Sequence, residues 1–257
     1  MRWEALQPSV VDTLDYQKVG EHIRESYREV SSRYRCDDEI EAKSENHKNL
    51  CAVLGELTSS FEHPITALDV GCGTGRYFHC LQNVQKLIGV DVSPDMLEGA
   101  KHPVLETEIT IRDIELRCGN FFLLDLPEGS FDFIYSLGMF GHGCPVTLQV
   151  CNKFHDLLKP GGKLFFDTVD MAGLRVTDAL RKRLRGLIYA CLPTAGKAAL
   201  DRRDPVPFFG MTKAQLRRIL RKSKFARFNV YSRKCESPLW NGRHLECLAL
   251  KECSYPE

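Results

Sequence analysis

Along the first fifth of the chain, apolar residues recur with a helical period. Ile23, Tyr27, Val30 and Tyr34 are three or four residues apart, and so are Leu50, Val53, Leu54 and Leu57. This predicts helices across 21–57, separated by an acidic polar stretch at 36–46. From residue 66 the period changes. Short apolar runs at 66–70, 86–90, 114–118, 131–135 and 163–167 read as buried parallel strands. Helices are expected between them: about 77–82, from Ser93-Pro94 onward, and 147–158, the last stopped by Lys159-Pro160-Gly161-Gly162. Another helix follows Thr212. Runs at 225–234 and 243–251, joined by 235–242, predict a C-terminal antiparallel hairpin. Alternating strands and helices mean an α/β fold with a doubly wound, mostly parallel sheet. Residues 1–20 lack periodicity and read as an N-terminal extension. Residues 21–257 read as one domain with a helical insertion at about 172–210.

Composition narrows the class. Apolar residues make up 43% and charged residues 27%, which is globular rather than disordered or fibrous. No run is long and apolar enough for a membrane span. Met1 to Leu6 carries an early acid and no apolar signal core, which reads against secretion. Eleven cysteines, an odd number with no Cys-x-x-Cys pair, read as reduced thiols of a cytoplasmic protein and suggest no metal site. Charge is divided. Residues 1–172 hold 16 Lys/Arg against 27 Asp/Glu, whereas residues 173–257 hold 19 against 7. A basic C-terminal third suits an anionic partner, or a solvated face that balances the acidic part.

The candidate chemistry begins after the first strand. Gly71-Cys72-Gly73-Thr74-Gly75 sits at a strand-to-helix turn, where glycines permit tight geometry and close approach of a ligand. The third glycine of a dinucleotide fingerprint is missing, because the sixth position is Arg76. Asp91 ends the second strand, 22 residues after Asp69, where a carboxylate can accept two hydrogen bonds from ribose hydroxyls. Together these features indicate an adenosine-type cofactor.

These segments resemble the motifs of class I S-adenosylmethionine-dependent methyltransferases. Leu68-Asp69-Val70-Gly71-Cys72-Gly73-Thr74-Gly75-Arg76 is similar to the first motif, and Gly89-Val90-Asp91-Val92-Ser93-Pro94-Asp95-Met96-Leu97 to the second. Residues 126–134 resemble the segment around the family's fourth strand, and 157–164 the entry to its fifth. The resemblance runs over about 64–168 and reaches about 250 with the hairpin. It implies a Rossmann-like seven-stranded sheet and S-adenosyl-L-methionine as cofactor. It also implies roles. Asp69 with Gly71, Cys72, Gly73 and Gly75 would face the methionine part. Asp91 would hold the ribose, and Val92 and Met96 would lie near the adenine. Asn120 and Phe121 stand where the family usually has Asp and an apolar residue. An Asn oxygen can accept the same bond from the adenine amino group, although a turn residue beside a core aromatic is the other reading. Ser136 and Leu137 would approach the sulfonium end.

For the transfer step, a base near the methyl group helps hydroxyl or amine acceptors. His142 is a candidate base or a loop histidine bonded to backbone. Asp167 and Asp170 are candidate substrate-orienting carboxylates or turn residues. Tyr27 and Tyr34 lie in helices that close over the cofactor in related enzymes, or serve as packing. In the insertion, Arg181, Lys182, Arg183 and Arg185 lie largely off the apolar stripe that contains Leu180, Leu184 and Leu187. A second basic cluster, Arg217, Arg218, Arg221, Lys222 and Lys224, follows Thr212. These clusters suit a solvated lid face, an anionic substrate or RNA, or a membrane surface. The expected activity is methyl transfer from S-adenosyl-L-methionine to a small molecule, by O- or N-methylation. The alternatives are an RNA- or protein-directed methyltransferase and a catalytically silent cofactor-binding partner.

Overall fold

The computed structural model describes residues 15–141, 143–173, 209–239 and 241–253. Helices α1 (Tyr16–Glu41) and α2 (Glu45–Ser59) precede β1 (Ile65–Val70). The chain continues through β2 (Val84–Asp91), α3 (Pro94–Ala100), β3 (Asp113–Cys118) and β4 (Phe131–Ser136). It then forms α4 (Leu148–Leu157), β5 (Leu158–Val169), α5 (Lys213–Lys222), β6 (Arg227–Glu236) and β7 (Asn241–Leu250). The seven strands form one sheet in the order β3-β2-β1-β4-β5-β7-β6. The first five are parallel, and β7 runs antiparallel to both β5 and β6.

Period-two alternation divides the strands between two cores. Leu68 and Val70 of β1, Ile134 of β4, and Leu164 and Phe166 of β5 pack with Val150, Phe154, Leu216 and Leu220 of α4 and α5. Ala67, Phe133, Tyr135 and Phe165 face the other way, against Leu50 and Leu54 of α2 and Leu97 of α3. Every residue of β4 is buried, as a strand covered on both faces requires. Each such large apolar side chain contributes about 1.5–3 kcal/mol relative to exposure. The strand order reverses between β1 and β4, so their carboxyl ends open the crevice where ligands bind in such folds.

Three elements differ from the sequence pattern. Helix α1 begins at Tyr16, not at residue 21, and runs through the acidic stretch to Glu41. Its buried carboxylates are partnered: Asp38 pairs with Arg76, and Glu41 accepts from Ser44 and Asn46. The helix expected at 77–82 is a single 3-10 turn, Phe78–Cys80. The Thr58 hydroxyl accepts the Gln82 N–H at 2.9 Å and starts the chain toward β2. No loop separates α4 from β5, because Leu158 pairs directly with Phe131 and Pro160-Gly161 are carried inside the long strand. The hairpin is present, with its strands reaching about two residues further toward the turn and a shorter connection than expected. Most of the insertion, including Arg181 to Arg185, lies outside the described residues.

Candidate functional site

The loop after β1 is built on backbone geometry that side chains rarely adopt. Gly71 and Gly73 have φ of +75° and +54°. The Gly71 and Cys72 N–H groups both donate to the Val90 carbonyl, at 2.8 and 3.1 Å, which folds the loop over the end of β2. A Cβ on Gly71 would lie 3.0 Å from Met139, beyond β4. Asp91 holds the loop from the other side. One carboxylate oxygen accepts from the Gly73 N–H and the other from the Ser93 N–H, each at 2.9 Å. Each oxygen keeps a lone pair for a further donor.

Two acids therefore meet at the carboxyl end of the sheet. Burial pushes the Asp69 carboxyl up to about 8; the Tyr135 hydroxyl opposes this and the charge of Asp91 adds to it. Burial also raises Asp91, against the backbone N–H groups of Ser93 and Gly73. An acid held this far above its ordinary range favours a cationic ligand, whose charge restores the carboxylate.

These groups line a cavity of about 410 Å³. Helix α1 covers it with one stripe: Gly20, Ile23, Tyr27, Tyr34, Asp37 and Glu41 are three, four or seven residues apart. Burial raises both the Tyr27 and Tyr34 hydroxyls, so they stay neutral and polar over the cavity. The helix is fastened to the glycine loop by Asp38, which is 1% exposed. Asp38 accepts from Arg76 Nε at 2.6 Å, lies 2.5 Å from its Nη2, and also accepts from the Thr74 hydroxyl. The Arg76 that departs from the dinucleotide fingerprint is thus the loop's anchor to the helix above it.

The structure brings together Asp69, Gly71, Cys72, Gly73, Asp91, Val92, Met96, Asn120, Phe121 and Leu137 around this cavity. Gly75 (φ +76°) is not among the lining residues; its N–H closes the turn on the Cys72 carbonyl at 2.9 Å. Asn120 accepts from the Phe122 N–H at 3.1 Å and donates to the Tyr16 carbonyl at 2.7 Å, which ties α1 to the loop after β3. The Phe121 ring is 3% exposed and stacks on Phe154 at 5.1 Å, so it belongs to the core. Ser136 is fully buried between strands, and its hydroxyl donates to the Val70 carbonyl at 2.7 Å rather than facing the cavity.

At the other end of the cavity, Asp167 accepts from the Gly138 N–H at 2.7 Å and contacts His244 Nδ1 at 2.5 Å. Burial opposes a charged His244, but the charge and hydrogen bond of Asp167, helped by Cys235, raise it to about 10. Burial likewise opposes the Asp167 carboxylate, and His244, the Gly138 N–H and Arg233 reverse this and hold it below its ordinary value. The result is a buried ion pair lining the cavity. Asp170 does not share it. That carboxylate accepts from the Ala172 N–H at 2.9 Å and the Ser232 hydroxyl at 2.5 Å, a structural role under the β6–β7 hairpin. His142 lies outside the described residues. Sequence reasoning missed His244, Gly20, Asp38 and Met139. For His244 the available signal was a polar residue beside the buried run Leu245–Cys247 on a strand that pairs with β5; its partner is known only once the register sets Val169 opposite it.

The methyltransferase-domain family matches residues 67–162. Among curated relatives, a demethylmenaquinone methyltransferase of Oceanobacillus iheyensis is 35% identical over 103 residues, 38% of this chain and 42% of that protein. A ubiquinone biosynthesis O-methyltransferase of Coxiella burnetii is 31% identical over 104 residues, 40% and 43% of the two chains. The chain thus spans less than half the length of these relatives. Among solved structures, the Burkholderia thailandensis 1,6-didemethyltoxoflavin-N1-methyltransferase, with its acceptor and S-adenosylhomocysteine bound, superposes with a TM-score of 0.59. It is 16% identical and covers 93% of this chain and 91% of its own, a likeness of fold.

Proposed function

We propose that the chain, which matches a methyltransferase-domain family over residues 67–162, is a class I methyltransferase that transfers the methyl group of S-adenosyl-L-methionine to a small-molecule acceptor. One observation carries this reading. A cavity of about 410 Å³, near the low end of the ~300–1,000 Å³ of small-molecule sites, is walled by Asp69 and Asp91, the left-handed glycines Gly71 and Gly73, and a covering helix.

The donor set fits the cofactor. Asp91 would accept the ribose hydroxyls with its free lone pairs, and Asp69, raised by burial, would hold the cationic methionine amine. Met96 and Val92 offer the apolar wall for the adenine, and Asn120 an amide at its edge. When bound, S-adenosylmethionine supplies an activated methyl group on a sulfonium; the residues of this chain supply position and charge. The glycine turns and Met139 fix the loop that faces it. Helix α1 covers the cavity and keeps out water, fastened by Asp38 and Arg76.

At the far end, the Asp167–His244 pair would orient the acceptor. A histidine raised to about 10 is protonated at neutral pH, so its imidazolium attracts an oxygen bearing negative charge, a phenolate or enolate, rather than removing a proton. The named activities of the quinone-pathway relatives agree with such an acceptor. The basic face of α5 plays no part in this cavity: no residue of Lys213–Lys222 lines it, and Lys224 pairs with Asp156 at 2.6 Å.

Calorimetric titration with S-adenosylmethionine, beside Asp91→Ala, tests the assignment. Losing two hydrogen bonds to a carboxylate is expected to weaken binding by roughly 100-fold, about 3 kcal/mol. A folded wild-type protein that does not bind would overturn the reading. Saturable binding without transfer to phenolic, hydroxyquinone or amine acceptors would leave a silent cofactor-binding protein instead.

A further inference from the structure

A second cluster of chemistry lies behind the glycine loop and outside the cavity. His47 and Cys51 are four residues apart on α2 and so share a face. His79 sits opposite them in the 3-10 turn Phe78–Cys80. Cys51 Sγ lies 3.3 Å from His47 Nε2 and 3.6 Å from His79 Nε2. One donor atom from each of the three residues falls within 4.8 Å of the other two. His47 is 2% exposed, and neither imidazole Nδ1 has a hydrogen-bond partner among the described residues.

Protons alone serve this arrangement poorly. Two imidazole nitrogens converge on one sulfur that carries a single weak S–H donor. One thiol proton can bond to one ring, and the other ring can meet the sulfur only by donating an Nε2–H to a weak acceptor. No other group of the described chain fixes either tautomer, so both rings can present Nε2 lone pairs to the same point. A tetrahedral centre with Zn–N of about 2.0–2.1 Å and Zn–S of about 2.3 Å sets its N and S ligands ~3.5 Å apart. Both observed N–S separations straddle that value. Cys80, at the end of the same turn, lies within hydrogen-bond reach of Cys51, and its Sγ is 3.0 Å from the Tyr77 carbonyl.

We propose that His47, Cys51 and His79 form a site for a borderline-soft divalent cation of the zinc class, with Cys80 beside the fourth position. Thiolate and imidazole ligands suit such an ion over magnesium or calcium. The ligand spacing, His-x3-Cys on a helix and His-Cys in a turn, lacks the Cys-x-x-Cys pairs by which zinc sites are read from sequence, which is why the sequence suggested none. The ion would staple α2 to the segment that leaves the glycine loop. Tyr77 joins the two sites, because it lines the cofactor cavity and stacks on His47 at 5.3 Å.

The experiment is metal analysis of the reduced full chain, then titration of the chelator-treated protein with Zn²⁺ and Co²⁺. The expected result is one ion per chain. Co²⁺ should give the intense bands of tetrahedral thiolate coordination, absent in Cys51→Ser and kept in Cys253→Ser, an exposed control. His79→Ala should weaken Zn²⁺ by more than the ~10–100-fold that loss of an outer-shell partner costs. The wild-type Co²⁺ spectrum remains decisive if a variant fails to fold. Substoichiometric metal with no thiolate band in the folded, reduced wild type would overturn the proposal. So would binding that Cys51→Ser leaves unchanged. None of these readouts depends on whether S-adenosylmethionine binds.

Discussion

Gly20 shows how one missing methyl group shapes the cavity wall. It sits in α1, where Ala would ordinarily be favoured by about 1 kcal/mol. A Cβ there would lie 2.3 Å from Asn120 Nδ2, so the amide would have to rotate and give up its 2.7 Å bond to the Tyr16 carbonyl. That bond is worth about 1 kcal/mol, and the two effects oppose each other. Gly20→Ala is therefore expected to change the melting temperature little while weakening S-adenosylmethionine binding several-fold. Unchanged affinity would mean that Asn120 has no part in the cofactor wall. At this scale, legibility followed the backbone. Gly71, Gly73 and Asp91 could be read because their positions demand those residue types. Ser136 and Asp170 could not, because the direction of their side chains depends on neighbours far away in sequence: Val70 across the sheet for one, Ser232 in the hairpin for the other.

Helix α1 is the element that converts an open crevice into a cavity. Its apolar period was readable to Tyr34, but the acidic stretch beyond looked like a break because nothing in the sequence shows that Asp38 will be buried against Arg76. The expectation that Tyr77 begins a helix failed for a related reason, since Thr58 on α2 captures the Gln82 N–H. Long-range polar partners thus decided both ends of the discrepancy. Asp38→Ala would leave Arg76 without its carboxylate. Breaking a buried pair costs about 3–5 kcal/mol, and the lower end applies because the Arg76 side chain is 26% exposed. The loss should be uneven. Hydrogen exchange is expected to accelerate through Tyr16–Glu41 more than through Glu45–Ser59, because α2 keeps its own core contacts at Leu50 and Leu54. Equal acceleration in both helices would show that Asp38 supports the whole fold rather than the cover.

At the scale of the molecule, a doubly wound, mostly parallel sheet was legible from the alternation of strands and helices, whereas the pairing that builds the proposed acceptor end was not. Asp167 and His244 are 77 residues apart, and only the antiparallel register of β5 and β7 brings them together. That pair gives the fold a pH signature. His244 is raised from 6.5 to about 10, with Asp167 as the charge partner and Cys235 of β6 assisting. A raised folded value means that the native state binds the proton more tightly than the unfolded chain. The stabilisation is fully present below about pH 6.5, declines as pH rises, and is gone near 10. Asp167 works in the opposite sense: its folded value is depressed, so its contribution holds above the ordinary carboxylate range and is lost as acid protonates it. Denaturant titrations of wild type and His244→Gln across pH 6 to 10 should therefore show the largest gap at the acidic end and a closing gap toward the alkaline end. Glutamine keeps a hydrogen-bond donor to Asp167 but cannot titrate, so the closing gap isolates the charge of His244. A gap that stays constant would mean that His244 is neutral in the folded protein. The imidazolium proposed to orient the acceptor would then be absent, and the far end of the cavity would have to work by shape and hydrogen bonding alone.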